Sequence, residues 1–319
     1  FCTYNCHGFP WGSHGADPGY RPILDKIDAT SAGVLFKMRA GKEEDPGEFT
    51  VSERHEGPDT LTTTTWHTPR GPLTNTMRTL PDQPAFCVKH YVENLEDLDK
   101  VFSVPYRPVR WRTDEVGRRA GDIEERGVIY LIYSDPFYEA SELFDQSEFA
   151  ILTHQDISLV RSLVEFCFER IYRDLERMLE GLAEYPFTFL LGTGGPERAT
   201  PPLFSPNVFR DLLTPYQKRL VELVHGYGYP TCLHCHGRVK EVLPHILACG
   251  FDALEPIEPP PQGNIDLQDG VNLTDFLILV DNFGRVASAA APVPEPTSTW
   301  PVAYALIWIA GRFRRRRRE

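Results

Sequence analysis

The sequence predicts an α/β fold built from parallel βα units, and three observations carry that prediction. From Val128 onward, unbroken apolar runs of buried-strand type alternate with helical stretches. Each run ends in a polar or glycine-rich loop, with a helix-start signal close behind. The chain's 319 residues, 41% apolar and 24% charged, suffice to bury a full core. In a closed (β/α)8 barrel the strand-end loops share one face, and in an open doubly wound sheet they line one edge.

Residues 1–30, rich in Gly, Pro, His and Asp, read as loop. Between 33 and 80 the runs 34–38, 48–52, 60–66 and 73–77 favour β-structure and are divided by Gly, Pro and Asp, which predicts a small antiparallel meander. Apolar residues at helical spacing mark 94–101, and 110–126 is a charged helical stretch whose Arg and Glu side chains make a solvated face.

The grammar changes at 128–133, a buried-strand run ended by Ser134, Asp135 and Pro136. Helices are expected over 139–153 and 156–182. Then follow a strand at 187–191, a loop at 192–197, and a helix opened by Ser205 and Pro206 and running to about 225. The last units are a strand at 231–235, a helix at 238–249 kinked at Pro244, and a strand at 252–256. The Gly192-Thr-Gly-Gly-Pro196 loop lacks the third glycine of a dinucleotide fingerprint, which excludes that function.

Charge and cysteine usage narrow the class further. The formal charge is −12, but Arg312 and Arg314 to Arg318 supply six of the 33 basic residues. The rest of the chain, 1–311, therefore carries 27 basic against 44 acidic side chains, a body that repels nucleic acid. Seven cysteines without framework spacing point to reduced thiols and a cytoplasmic compartment for this body. The chain starts at Phe1 with neither an initiator Met nor a signal segment, so its native start is expected to lie upstream.

The densest chemistry lies in Tyr229-Pro-Thr-Cys-Leu-His-Cys-His-Gly237. On an extended backbone His234 and His236 point the same way and Cys235 points oppositely. Two nitrogen donors on one face suit a metal or an acidic substrate. Strand-end placement would gather Asp135, Glu197, the 234–236 cluster, Glu255 and Glu258. Each has a plainer reading too: Asp135 before Pro136 as a helix cap, Glu258 as a solvated loop residue, the histidines as hydrogen-bonded packing, Cys232 and Cys249 as core thiols.

An ordered set of motifs resembles the uroporphyrinogen decarboxylase family, whose superfamily includes corrinoid-linked methyltransferases. The set is Ser134-Asp-Pro-Phe137, Leu203-Phe-Ser-Pro-Asn-Val-Phe-Arg210 with Pro215 and Tyr216, His234-Cys-His-Gly237, and the run from Gly250 to Leu267. The likeness covers about 60–267 and implies a TIM-type (β/α)8 barrel.

For the decarboxylase branch the resemblance implies a carboxy-lyase acting on a tetrapyrrole acetate, without a cofactor. Of that branch's residues Asp135 and Arg39 are matched here, as catalytic and substrate-binding, while its late His would lie beyond Asn264; Glu197 and His234 are further catalytic candidates, and Tyr216 and Glu258 further substrate contacts. Glu142 stands where that branch carries a Tyr. For the methyltransferase branch it implies zinc on His234 and His236, with a methyl donor or corrinoid protein as partner. There His236 replaces the expected Cys.

Beyond Leu267 the grammar departs from that family, so the barrel is expected to be incomplete, its last βα units missing and its activity dependent on sequence the chain lacks. Residues 268–284 resemble half of a dockerin-type calcium repeat, with Asn264, Asp266 and Asp275 at loop positions one, three and twelve. Gly270 falls at position seven, one past the sharp turn, so the loop is out of register.

Residues 285–299 are a Pro-rich linker. Residues 300–319, an apolar helical segment with an Arg cluster, resemble a bacterial PEP-CTERM tail. That implies an exosortase partner and membrane-associated sorting if the protein is exported. The expected organisation is thus 1–80 loop and meander, 81–267 partial barrel, then repeat, linker and helical tail, with a fusion or frame join near 264–270. A non-enzymatic, surface-anchored fusion protein is the reading from a different class.

Overall fold

The computed structural model describes residues 48–258 apart from 82 and 124–126, together with 2–4, 19, 22, 33–38, 40–43, 260 and 263–265. Arg39, Asp266, Asp275, the dockerin-like stretch and the tail lie outside the described residues. The chain is mixed α/β and divides into two units. One comprises 1–40, 113–133 and 179–319, the other 41–112 and 134–178.

The first unit holds a six-stranded sheet. Its strands are β1 (Cys2–Tyr4), β2 (Gly33–Met38), β9 (Gly127–Ser134), β10 (Phe189–Gly194), β11 (Thr231–His234) and β12 (Ala253–Glu255), adjacent in that order. The pairs β1 with β2, β2 with β9, β10 with β11 and β11 with β12 are parallel. This corrects the expected placement of 34–38 in the antiparallel meander and of residues 2–4 in a loop. Val34, Leu35 and Phe36 are consecutive apolar residues, the mark of a strand in a parallel sheet rather than of an alternating hairpin.

Helices follow the strands as the alternation predicts. Pro206–Leu212 (α6) and Thr214–Gly226 (α7) replace the single helix expected over 206–225, because Pro215 has no N–H to continue the first. After β11 come a 3₁₀ turn at Val239–Glu241 and α8 (Leu243–Cys249), ended by Gly250 at φ 86°. Tyr130, Leu190 and Cys232 form a buried cluster with Val128, Ile132 and Ala253 around it.

One close approach shapes this sheet. A Cβ at Gly192 would lie 2.2 Å from the Tyr130 ring, so the absent side chain is what lets the tyrosine lie there. Two residues on, a Cβ at Gly194 would meet His234 at an ordinary 3.5 Å.

In the second unit β4 (Phe49–Glu56), β5 (Asp59–Thr68), β6 (Gly71–Thr79) and β7 (Phe86–Lys89) form an antiparallel sheet in sequence order. The first three match the expected meander, and β7 adds a strand. Arg78 closes on Asp59 at 2.6 Å, and Trp66 donates to Glu48 at 3.1 Å while stacking on Phe49. Short β3 (Lys42–Glu43) pairs with β8 (Arg110–Trp111). Helices α1 (Leu95–Phe102), α3 (Pro136–Ser141) and α4 (Gln146–Gln155) belong here, with Phe137, Phe144 and Phe149 packed together. Helix α2 (Thr113–Ile123) lies in the first unit, and α5 (Ile157–Leu182) runs through both. Among the described residues no helix is long and apolar enough to cross a membrane.

Candidate functional site

The register of the parallel sheet builds the site. Gly194 pairs with His234, and His234 pairs with Glu255, so the three stand in line across adjacent strands at their carboxyl ends. Directly opposed residues in a parallel sheet share a face. Glycine at the first position leaves space beside the imidazole, and glutamate at the third gives it a partner: His234 Nδ1 lies 3.3 Å from Glu255 Oε1. The ladder extends one residue further, where Cys235 N–H donates to Glu255 C=O at 2.8 Å. The Cys235 side chain is fully buried, as the alternation predicts.

His236 projects beyond the strand, its side chain 47% exposed. Its Nδ1 lies 3.0 Å from Glu258 Oε2, and its Nε2 lies 3.0 Å from His234 Nε2. The two rings meet edge to face, centroids 4.7 Å apart. With both carboxylates as acceptors, each Nδ1 would donate and each Nε2 would turn a lone pair toward the other ring. In that arrangement a shared proton or a metal ion would bridge the two Nε2 atoms, which stand 3.0 Å apart.

Metal geometry can be tested against these donors. Two nitrogens on a tetrahedral zinc at about 2.0–2.1 Å would stand about 3.3 Å apart, a few tenths of an ångström wider than this pair. The carboxylates behind both rings are those that commonly orient zinc-binding imidazoles. Yet among the described residues no group of three or more His, Cys, Asp and Glu side chains is arranged to hold a metal. The described residues therefore supply two donors of the three or four that zinc requires, and no reaction step is derived through it.

Glu197 stands in the loop after β10, where its carboxylate accepts from Gly195 N–H at 3.1 Å and its carbonyl accepts from the Thr200 hydroxyl at 2.9 Å. Tyr216 is buried on α7. Asp135 is fully buried in the second unit, where it caps α3 by accepting from Tyr138 N–H at 2.7 Å. Glu142 ends the same helix.

Asn264 spends both ends of its amide on the 3₁₀ turn: Oδ1 accepts from Lys240 N–H at 3.0 Å, and Nδ2 donates to the Glu241 carboxylate. Sequence reasoning gathered Glu255 with the other strand-end groups but gave it no role. Its signal is register, which appears only once the strands are paired.

These features define a class: a parallel α/β domain whose polar cluster sits at the carboxyl ends of its strands, where such folds hold their sites. Residues 88–258 match the family model described as Uroporphyrinogen decarboxylase (URO-D), more than half of the chain, and the protein belongs to that family. Among solved structures it is similar to a methyltransferase from Methanosarcina mazei, at 18% identity and a TM-score of 0.40. That likeness covers 55% of this chain and 50% of the other, so this chain spans about half the length of the structure it matches. No curated protein matches.

Proposed function

We propose that the protein is a carboxy-lyase of the URO-D family, decarboxylating an acetate side chain on an electron-rich ring such as a pyrrole of a tetrapyrrole. The observation that supports this reading is the contact between His234 Nε2 and His236 Nε2 at 3.0 Å, each ring backed by a carboxylate. A proton held between two imidazoles is a general acid placed at the strand-end face.

In the reaction that proton adds to a ring carbon, and the C–C bond to the carboxylate breaks as its electrons flow into the cationic ring. CO2 leaves, the exocyclic carbon takes up a proton, and the ring proton returns to the histidine pair. The net change is uptake of one proton and release of one CO2. Glu255 and Glu258 favour the cationic stages by their charge. The substrate's own carboxylates require a cation, the role expected of Arg39.

Anaerobic incubation with a reduced uroporphyrinogen, following CO2 release and the carboxylate count of the product, tests this. Activity in the wild type should fall on the order of 10²–10⁴-fold in His234→Gln and His236→Gln. A wild type that releases no CO2, or variants that keep its rate, would overturn it.

Zinc-assisted methyl transfer is the second reading, favoured by the same carboxylate-backed imidazoles. When bound, zinc would supply Lewis acidity to a thiol, with His234 and His236 as protein donors. Metal analysis decides. Stoichiometric zinc in the wild type and its loss in His236→Ala support this reading, and protein purified without zinc removes it.

A further inference from the structure

We propose that Asn264 is a positioning residue for His236, acting through Glu258; this rests on His236 being part of the site proposed above. The two halves of the histidine pair are held differently. His234 and Glu255 are fixed by the strand ladder. His236 and Glu258 both lie past the ends of their strands, so something other than the ladder must hold Glu258 in reach of the imidazole.

The structure closes a circuit that does so. After His236 the chain turns through Arg238 and Lys240, and Lys240 N–H donates to Asn264 Oδ1 at 3.0 Å. The other end of that amide donates to Glu241, which also accepts from Arg238 Nε at 2.9 Å. Burial acts to raise the Glu241 carboxyl, but hydrogen bonds from Arg238 and Asn264 hold it below its ordinary range.

On either side of Asn264 the chain returns to Glu258. Ile265 N–H donates to Glu258 C=O at 3.2 Å, and Gly263 packs so closely that a Cβ there would lie 2.3 Å from the same oxygen. Glu258 then reaches His236 Nδ1 at 3.0 Å and completes the ring. One amide therefore fastens the segment that carries the carboxylate to the segment that carries the imidazole.

Release of that fastening should free Glu258 from His236 and leave the imidazole without a reason to keep its proton on Nδ1. The contact of His234 Nδ1 with Glu255, held by the ladder, should not respond. Imidazole ¹⁵N spectra of the full chain at one fixed pH, in metal-free buffer, read both rings independently of any activity. In Asn264→Ala the His236 Nδ1 signal should leave the position set by its hydrogen bond to Glu258, while His234 Nδ1, still against Glu255, keeps its own. Glu258→Ala, which removes the acceptor, should move the same Nδ1 signal.

The rescue is an exchange of partners. Asn264→Asp alone sets like charges side by side, whereas Asn264→Asp with Glu241→Gln restores an acceptor for Lys240 N–H and a donor–acceptor pair between 264 and 241. The double variant should return the wild-type His236 pattern. A His236 spectrum indifferent to Asn264→Ala, an equal change at both histidines, or a double variant no better than Asn264→Ala would overturn the proposal. A failed decarboxylase assay would leave these spectra readable.

Discussion

His234 and Glu255 are register partners on adjacent parallel strands, and their side chains meet at 3.3 Å. Because the backbone ladder sets that distance, the carboxylate is present whatever packs beneath the sheet. Glu255→Gln keeps an oxygen that accepts from Nδ1–H but loses the charge and should lower kcat/KM less than Glu255→Ala, which loses both and should lower it by about 10–100-fold, the usual cost of losing a group that orients a functional imidazole. Steady-state kinetics on both variants, with circular dichroism as the folding control, checks this.

Two glycines two residues apart should respond oppositely to the same substitution. Gly192→Ala drives a methyl group into the Tyr130 ring and should destabilise by about 1–3 kcal/mol. Gly194→Ala meets His234 at ordinary contact distance and should be neutral or stabilising by up to about 1 kcal/mol. Urea unfolding of the two variants gives the comparison.

Asp135 has a capping role that can be separated from any catalytic one. Its carboxylate accepts from Tyr138 N–H, and Asp135→Ala should cost about 1–2 kcal/mol of stability through loss of that cap. Asp135→Asn keeps a cap oxygen. If it folds with near-wild-type stability yet releases no CO2, the side chain has a second role in the chemistry; if activity follows stability in both variants, the cap is sufficient.

Acid should loosen the first unit through Asp252. Burial raises the pKa of this carboxyl, but hydrogen bonds from His225 and from the Thr231 N–H and hydroxyl, with the charge of His225, hold it below its ordinary value. A folded-state value below the unfolded one of about 3.9 means the contribution is complete above that pH and is lost as pH falls through the folded value. Stability measured from pH 6 to pH 3 should therefore decline at the acid end, and Asp252→Asn should flatten that decline.

Thiol reactivity should follow exposure. Cys167 is buried, and burial pushes its pKa far above the ordinary thiol value; Glu139 and Asp135 act in the same direction and Arg170 against it. Cys232, Cys235 and Cys249 are also buried, whereas Cys87 is half-buried. Native alkylation mapped by mass spectrometry should therefore label Cys87 ahead of the other four.

The sequence made the βα alternation legible because each buried strand there is a short apolar run closed by punctuation: 128–133 before Asp135, and 231–234 before Gly237. It misassigned 34–38 because a short apolar run carries no record of its partner, and only pairing with Gly127 to Leu131 showed it to be parallel. The projection of His234 and His236 to one side followed from period two alone. Glu255 and Asn264 were harder to assign, since their importance comes from strand register and from a contact 24 residues away in the chain.

The Tyr130 ring fills the space in which a side chain at Gly192 would have to stand. The two positions therefore share one volume between them and are not free to drift separately. In any relative that carries alanine or a larger residue at the position of Gly192, the position of Tyr130 should have shrunk to match. Descent would record this small packing fact as correlated change, detectable without measuring a single protein.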